Sequence, residues 1–254
     1  MKLDVIVSPS YLKEDTLTGD VCAVVDVLRA TSSITTALVS GAREVRPCLS
    51  AEEAKKGAAK LPKNACLLGG EEMGELIPGF DLGNSPFEYL DKDRVKGKVI
   101  YFYTTNGSGA IRKAFVGGGS PVYIAALLNV SAVSSAIVKT ASAGKFKGIG
   151  ILCSGRQGEA SEEDNFCAGL MVDRIIHGLK GFGIAPELGD NASAAAKYAV
   201  SNRGHGLDIL RESKHGQFLD SLGFADDLVF ASRMDFYDAV PVFDGKRIII
   251  PPQK

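Results

Sequence analysis

The chain has no tryptophan, only three histidines and no surplus of either charge: 29 Lys and Arg stand against 30 Asp and Glu over 254 residues, a formal net charge of -1. A protein that grips nucleic acid non-specifically needs a basic excess to displace counterions from phosphates, and this balance excludes one. Five cysteines (Cys22, Cys48, Cys66, Cys153 and Cys167) are an odd number without a CxxC pair, which argues against a disulfide framework and against a zinc ribbon. Four of them lie in apolar runs and read as reduced core residues. No apolar stretch reaches the ~20 residues that span a bilayer. The longest uncharged run, between Lys113 and Lys139, is interrupted by Gly117, Gly118, Gly119, Pro121 and Asn129. The N-terminal MKLDVIVSP carries Asp4 and only a short apolar run, so it is not read as a signal peptide. The expectation is a cytoplasmic protein that contacts neither membrane nor nucleic acid. Nucleotide-binding fingerprints are missing too: no GxxxxGKS or GxxxxGKT loop occurs, and no GxGxxG follows a strand.

What is present is a core, with 45% hydrophobic residues. Short Val-, Ile- and Leu-rich runs alternate with stretches of helical period, the pattern of an α/β fold. Strands are expected at Leu3–Val7, Val21–Val27, Glu44–Leu49, Ala65–Leu68, Val99–Tyr103, Val122–Ala126 and Gly148–Leu152. Runs such as VCAVVDVL and GIGIL are continuously apolar, which marks strands buried on both faces of a largely parallel sheet. Helices are expected to start at Ser50, after Ser85-Pro86 and at Asn129. Ser161-Glu162-Glu163-Asp164 resembles a capping box for a helix through Gly178, with Asp in place of the usual Glu or Gln. From about residue 184 the pattern weakens into helices and a last short strand at KRIIIPP. With no repeat or linker in view, residues 1–254 are read as one domain.

Ligands of open α/β sheets bind beyond the carboxyl ends of the strands. The loops expected there are polar: Asp26, Arg29, Thr31, Ser32 and Ser33 after the second strand, Glu71 and Glu72 after the fourth, TTNGSG from Thr104, and CSGRQGEASEED with Arg156, Ser161 and Asp164. Hydroxyls and glycine amides at helix starts bind phosphate-like anions, arginines add bidentate contacts, and spaced carboxylates suit a hard cation such as Mg2+. Each element alone is also an ordinary turn or helix start. Asp26 stands out because it ends an apolar strand, where an uncompensated charge is costly. One of Glu71 and Glu72 is expected to face solvent. Cys153 has no arginine six positions on and Asp26 has no aspartate two positions on, so two common phosphatase patterns are absent. Cys153 and all three histidines, His177, His205 and His215, are read as structural.

Taken as a set, DVLRATSS from Asp26, GFDLGNSP from Gly79 to Pro86, TTNGSGA from Thr104 and CSGRQGEASEEDNFCAG from Cys153 resemble the 2-phosphosulfolactate phosphatase family. GFADDLVFASRMD and AVPVF extend the similarity through most of the chain. The resemblance implies a three-layer α/β/α fold with a largely parallel or mixed sheet. It implies a Mg2+-dependent phosphatase that converts 2-phospho-3-sulfolactate to 3-sulfolactate and phosphate, a step in coenzyme M biosynthesis. One departure is visible: GGEEMG has Glu72 where the family is expected to carry an arginine, which bears on substrate identity.

On that resemblance Asp26 and Asp164, joined by Glu71, are expected to hold Mg2+. Arg29 and Thr104, Thr105, Asn106 and Gly107 are expected to cradle the phosphate, with Thr31, Ser32 and Ser161 as further contacts. Attack by Asp26 and attack by metal-bound water both remain open. Arg156 is the nearest cation left for the substrate's other anionic groups; Arg203, Arg233 and Lys214 qualify only if the C-terminal segment folds back over the sheet. The alternatives are a phosphatase for another small phosphorylated hydroxy acid, a non-catalytic anion-binding α/β protein, and, least favoured, a transferase with a Rossmann-like nucleotide site. A homodimer is the default assembly for a soluble enzyme.

Overall fold

In the computed structural model, which describes residues 1–13, 16–144 and 146–252, the apolar runs become strands of one mixed sheet. In chain order the strands are β1 (Lys2–Ile6), β2 (Asp20–Val25), β3 (Glu44–Pro47), β4 (Cys66–Glu72), β5 (Glu75–Leu76), β6 (Val99–Tyr103), β7 (Val122–Ala125), β8 (Gly148–Cys153), β9 (Glu187–Leu188), β10 (Val242–Phe243) and β11 (Ile248–Ile249). The helices are α1 (Ala30–Val39), α2 (Ala51–Ala58), α3 (Lys92–Val95), α4 (Gly107–Val116), α5 (Val130–Ser142), α6 (Glu162–Lys180), α7 (Asp190–Ser201), α8 (Gly206–Glu212), α9 (Lys214–Ser221) and α10 (Ala225–Ala231). No helix of the described residues is long and apolar enough to cross a membrane.

The sheet order is β5-β4-β6-β3-β11-β10-β7-β2-β8-β1-β9. β4, β6 and β3 run parallel, as do β7, β2, β8, β1 and β9. Between these blocks the hairpin β10–β11 pairs antiparallel to β7 on one side and to β3 on the other. The strand sense therefore reverses at a seam supplied by the C-terminus. Period-2 alternation explains why the central strands are apolar on both faces. Val21, Ala23 and Val25 of β2 join α5, α6 and α7 in one core, while Cys22 and Val24 face α1 and α4 in another. The layers match the three-layer expectation.

The helix ends are only partly as expected. Ser50 caps α2, its Oγ accepting from the Glu53 amide at 3.1 Å, and Ser85 accepts from Phe87 at 3.3 Å at the head of a 3-10 turn, Pro86–Tyr89. Asn129 does not cap α5; its side chain binds the Ala126 amide and the Ile124 and Ala239 carbonyls instead. Ser161 stands at the N-cap of α6, but its Oγ has no partner, so the expected capping box does not form. All five cysteines are buried free thiols.

The seam is fastened by charge. Glu44, buried at the start of β3, accepts from Arg46 Nε at 2.6 Å and from Arg247 Nη1 of the β10–β11 turn at 2.9 Å. Burial by itself would raise the Glu44 pKa, but the bonds from Arg247 and Arg46 outweigh it and hold the carboxyl below its usual value of 4.5. A depressed folded-state pKa contributes stability that is present above the unfolded pKa and is lost as pH falls through the folded one. Glu44→Gln is expected to cost about 1–3 kcal/mol at pH 7. In urea denaturation the gap from wild type should narrow as pH falls below the usual carboxylate range and through the depressed folded pKa; a gap independent of pH would show that these ion pairs do not stabilise the seam.

Candidate active site

Four strands end at one place. β2 delivers Asp26, whose Oδ1 accepts the Ala30 amide at 3.0 Å and whose Oδ2 accepts the Ser154 hydroxyl, from the loop after β8, at 2.6 Å. The loop after β6 comes so close that a Cβ on Gly107 would lie 2.5 Å from Asp26 Oδ2 and 2.4 Å from Ala30 Cβ, so only glycine fits there. Glu71, at the end of β4, accepts the Thr105 amide on Oε1 at 2.8 Å and the Gly74 amide on Oε2 at 2.6 Å. Burial raises the Asp26 pKa against the opposing pull of the Ser154 hydroxyl, the charge of His215 and the Ala30 amide, and Glu71 pushes it further up.

Several residues expected to touch ligand are spent on the loops themselves. Thr31 Oγ1 donates to the Asp26 carbonyl at 2.7 Å and accepts the Asp26 amide, and Ser32 Oγ donates to the Val27 carbonyl at 2.8 Å; both side chains are fully buried. Arg29 does not reach out as a phosphate clamp. Its Nη1 pairs with Asp227 at 2.7 Å, its Nη2 donates to the Gly74 carbonyl at 3.0 Å, and its guanidinium lies 4.1 Å from the Phe224 ring centroid. Asp227, which the sequence reading overlooked, also accepts the Ser85 hydroxyl at 2.6 Å.

Asp164 likewise clamps two loops, Oδ1 accepting the Val27 amide at 2.8 Å and Oδ2 the Gly155 amide at 3.0 Å. Its pKa stands well above the usual range because of burial, with Glu163 and Asp26 adding to the rise. The expected three-carboxylate metal set is not assembled: among the described residues no three His, Cys, Asp or Glu side chains form a metal-binding group.

What does converge is a pair of small adjoining cavities. The inner one, about 20 Å³, is lined by Asp26, Glu71, Asn84, Thr104 and Arg29, with Leu28 and Leu219 as apolar walls. The outer one, about 30 Å³, is lined by Thr105, Arg156, Gln157, Met73 and Phe218. Glu71, Gly74, Asn106 and His215 belong to both walls. Asn84 Oδ1 is buried without any hydrogen-bond partner, an unmet acceptor of the kind that marks a site for a ligand or ion. Mg2+ is usually held by one or two carboxylates together with other oxygens and the substrate's phosphate. Asp26, Glu71 and Asn84 Oδ1 meet that requirement without Asp164.

The C-terminal segment does fold back, but the residues it brings are not the expected ones. α9 places His215, Phe218 and Leu219 over the cavities, so that His215, read from the sequence as structural, lies on their wall. Arg156 stacks 4.5 Å from the Phe218 ring centroid. By contrast Arg203 pairs with Asp173, and Arg233 lies against Phe230 and Phe236. Glu72 is exposed and lines neither cavity. Size alone misleads here. A far larger groove, about 910 Å³, lies between α5 and α6, yet no unpartnered buried polar atom lines it.

A family model described as 2-phosphosulpholactate phosphatase matches residues 6–246. The chain belongs to the 2-phosphosulfolactate phosphatase family. Its relatives include a probable 2-phosphosulfolactate phosphatase of Symbiobacterium thermophilum, 41% identical over 92% of this chain and 95% of that one. Proteins of the same description from Clostridium botulinum and Gloeobacter violaceus are 33% and 36% identical, over 98% and 95% of this chain and 99% and 94% of theirs. Membership makes the chain a phosphatase, a phosphoric monoester hydrolase. The motifs that carry the family resemblance surround the two cavities: DVLRATSS contributes Asp26, GFDLGNSP contributes Asn84, TTNG contributes Thr104 to Asn106, and CSGRQG contributes Arg156 and Gln157.

Removing one member of a buried ion pair strands the other charge, at about 3–5 kcal/mol. Arg29→Met and Asp227→Leu are each expected to destabilise by that amount, and the double variant by clearly less than their sum, as measured by urea unfolding. Strict additivity would show that the pair contributes nothing as a pair.

Proposed function

We propose that this protein hydrolyses 2-phospho-3-sulfolactate to 3-sulfolactate and phosphate with Mg2+ as cofactor, in coenzyme M or sulfolactate biosynthesis. The observation that carries the reading is the meeting of two carboxylates and the unpaired Asn84 Oδ1 on a polar cavity beside the TTNG loop, in a chain of this family. Asp26, Glu71 and Asn84 would hold the cation, which when bound neutralises charge on the phosphoryl oxygens.

The protein's own groups do the remaining work. Phosphoryl transfer is governed mainly by positioning and charge neutralisation. Thr104 and Asn106 line the inner cavity at the start of α4, where the helix N-terminus favours an anion. The amides of Ala30, Thr105 and Gly74 and the Ser154 hydroxyl fix the orientation of both carboxylates. Arg156 takes part in none of the ion pairs between described residues, and at the outer cavity it offers a bidentate partner to a carboxylate or sulfonate. Leu28 and Leu219 form the apolar part of the inner cavity's wall.

Phosphate release from phosphosulfolactate, phospholactate and phosphoglycerate, each with Mg2+ and with EDTA, tests this. The expected order is phosphosulfolactate first, by about tenfold or more in kcat/KM, with activity lost in EDTA and restored by Mg2+. Asp26→Asn is expected to lower kcat by about a thousandfold or more. Equal kcat/KM across the panel would reassign the substrate, undiminished activity in EDTA would remove Mg2+, and no release from any ester would overturn the phosphatase reading.

A further inference from the structure

We propose that His215 is the general acid of the reaction, passing a proton from its Nε2 to the ester oxygen as that oxygen leaves phosphorus, and that Glu163 is the residue that positions it. The inference rests on the function proposed above. The leaving group of a 2-phospho hydroxy acid is the alkoxide of a secondary alcohol, a strong base that departs readily only if it is protonated as the bond breaks. In the balanced step, the phosphorus–ester oxygen bond breaks and its electron pair stays on the ester oxygen, which takes the His215 proton. A new phosphorus–oxygen bond forms to the nucleophile. Overall, ester and water give alcohol and phosphate, and a proton from that water returns to the imidazole.

The two cavities fix where such a proton is needed. The inner cavity, with Asp26, Glu71, Asn84 and Thr104, suits the phosphoryl group; the outer one, with Arg156, Gln157 and Thr105, suits the carboxylate and sulfonate. The bridging ester oxygen then lies at their junction, whose wall is Glu71, Gly74, Asn106 and His215. Three of these four are unsuited to give up a proton. Both Glu71 oxygens already accept bonds, from the Thr105 and Gly74 amides and the Thr105 hydroxyl. Gly74 has only its amide, which is donated to Glu71. Asn106 carries a carboxamide, which does not ionise.

His215 remains, and its setting is built. Its Nδ1 lies 3.3 Å from Glu163 Oε1, with the imidazole 15% and the carboxylate 1% exposed. That leaves Nε2 as the ring nitrogen available to the cavities. Glu163 Oε2 is buried with no hydrogen-bond partner, so its charge has no compensation beyond the imidazole on that side. A carboxylate at the far nitrogen orients an imidazole and fixes which ring nitrogen faces away from it. The turn that carries His215 is held by Ser213, whose Oγ accepts the Gly216 amide at 2.9 Å.

The test compares two substrates that differ in their need for a proton. Full-length wild type, His215→Gln and Glu163→Gln are assayed with Mg2+ on phosphosulfolactate, which releases an alkoxide, and on acetyl phosphate, which releases a carboxylate that departs without protonation. His215→Gln is expected to lose about 10²–10⁴ in kcat on the alkyl ester and less than about tenfold on acetyl phosphate. Glu163→Gln should show a smaller loss with the same selectivity, which a purely structural role would not produce. Equal losses on both substrates overturn the inference while leaving the phosphatase reading intact. If the variants fail to fold, or acetyl phosphate is not turned over, wild-type kcat across alkyl phosphates of rising alcohol basicity decides. A shallow dependence supports an acid at the leaving oxygen and a steep one overturns it. A wild type that hydrolyses none of these esters overturns the function reading, and this inference with it.

Discussion

Buried carboxylate charge is the constraint around which this molecule is arranged. Asp26, Glu71, Glu163, Asp164 and Asp227 are all buried at or beside the loops that enclose the two cavities, against one buried arginine, Arg29, and the part-buried His215. Each ionised carboxylate out of water costs several kcal/mol unless donors surround it. The fold answers locally. Asp164 takes two backbone amides, Glu71 takes two amides and a hydroxyl, Asp26 takes an amide and a hydroxyl, and Asp227 takes Arg29 and Ser85. These bonds bring Val27, Ala30, Gly74, Thr105 and Gly155 to one point, so the same interactions that make the acids tolerable also set the loop geometry. A near-neutral sequence thus conceals an acidic centre, and the divalent cation proposed for it would supply what the protein's own cations leave uncompensated.

The C-terminal quarter of the chain is what closes both the sheet and the site. β10 and β11 join two parallel blocks of strands that have no direct pairing with each other, and Arg247 of their turn anchors on Glu44. Just before that hairpin in sequence, α10 brings Asp227 to Arg29 and α9 brings His215 to Glu163. Both ion pairs join residues of the strand-end region to residues more than fifty positions later, so the site is complete only when the last elements have docked.

That separation in sequence decides what could be read in advance. Strands such as Val99–Tyr103 were legible because continuous apolar runs with polar ends encode double burial directly. Asp26 was legible because a charge at the end of such a run needs a partner. His215 was not: it sits in a short Gly-punctuated helix, and only the fold-back of α9 sets it opposite Glu163. Asn84 passed unnoticed as a site residue inside GFDLGNSP because an asparagine before Ser-Pro also reads as a turn. Thr31 and Ser32 misled in the opposite sense, since the hydroxyls that bind phosphate at a helix start are also those that bind the neighbouring carbonyl. A sequence shows that a hydroxyl is present, but its partner is chosen by a loop whose path depends on distant contacts.

The two cavities are too small for the substrate proposed. At about 20 Å³ and 30 Å³ each has room for about one or two water molecules, whereas the ester carries a phosphate, a carboxylate and a sulfonate. To admit an ester of that size, some part of the wall would have to yield. The rear wall is an unsuitable candidate: β2, β6 and β8 are core strands, and Gly107 leaves no slack beside Asp26. The front wall is α9 and the β4–β5 turn, which meet where the Gly74 backbone lies against the side chains of Phe218 and of Leu222, the residue that ends α9. Separating these two surfaces exposes apolar area but breaks no sheet. It would also move His215 and Phe218 together, withdrawing the imidazole from Glu163 and taking away the ring on which Arg156 stacks. On the proposed reading, admission of substrate and assembly of the groups around its leaving oxygen would thereby be coupled through one short helix.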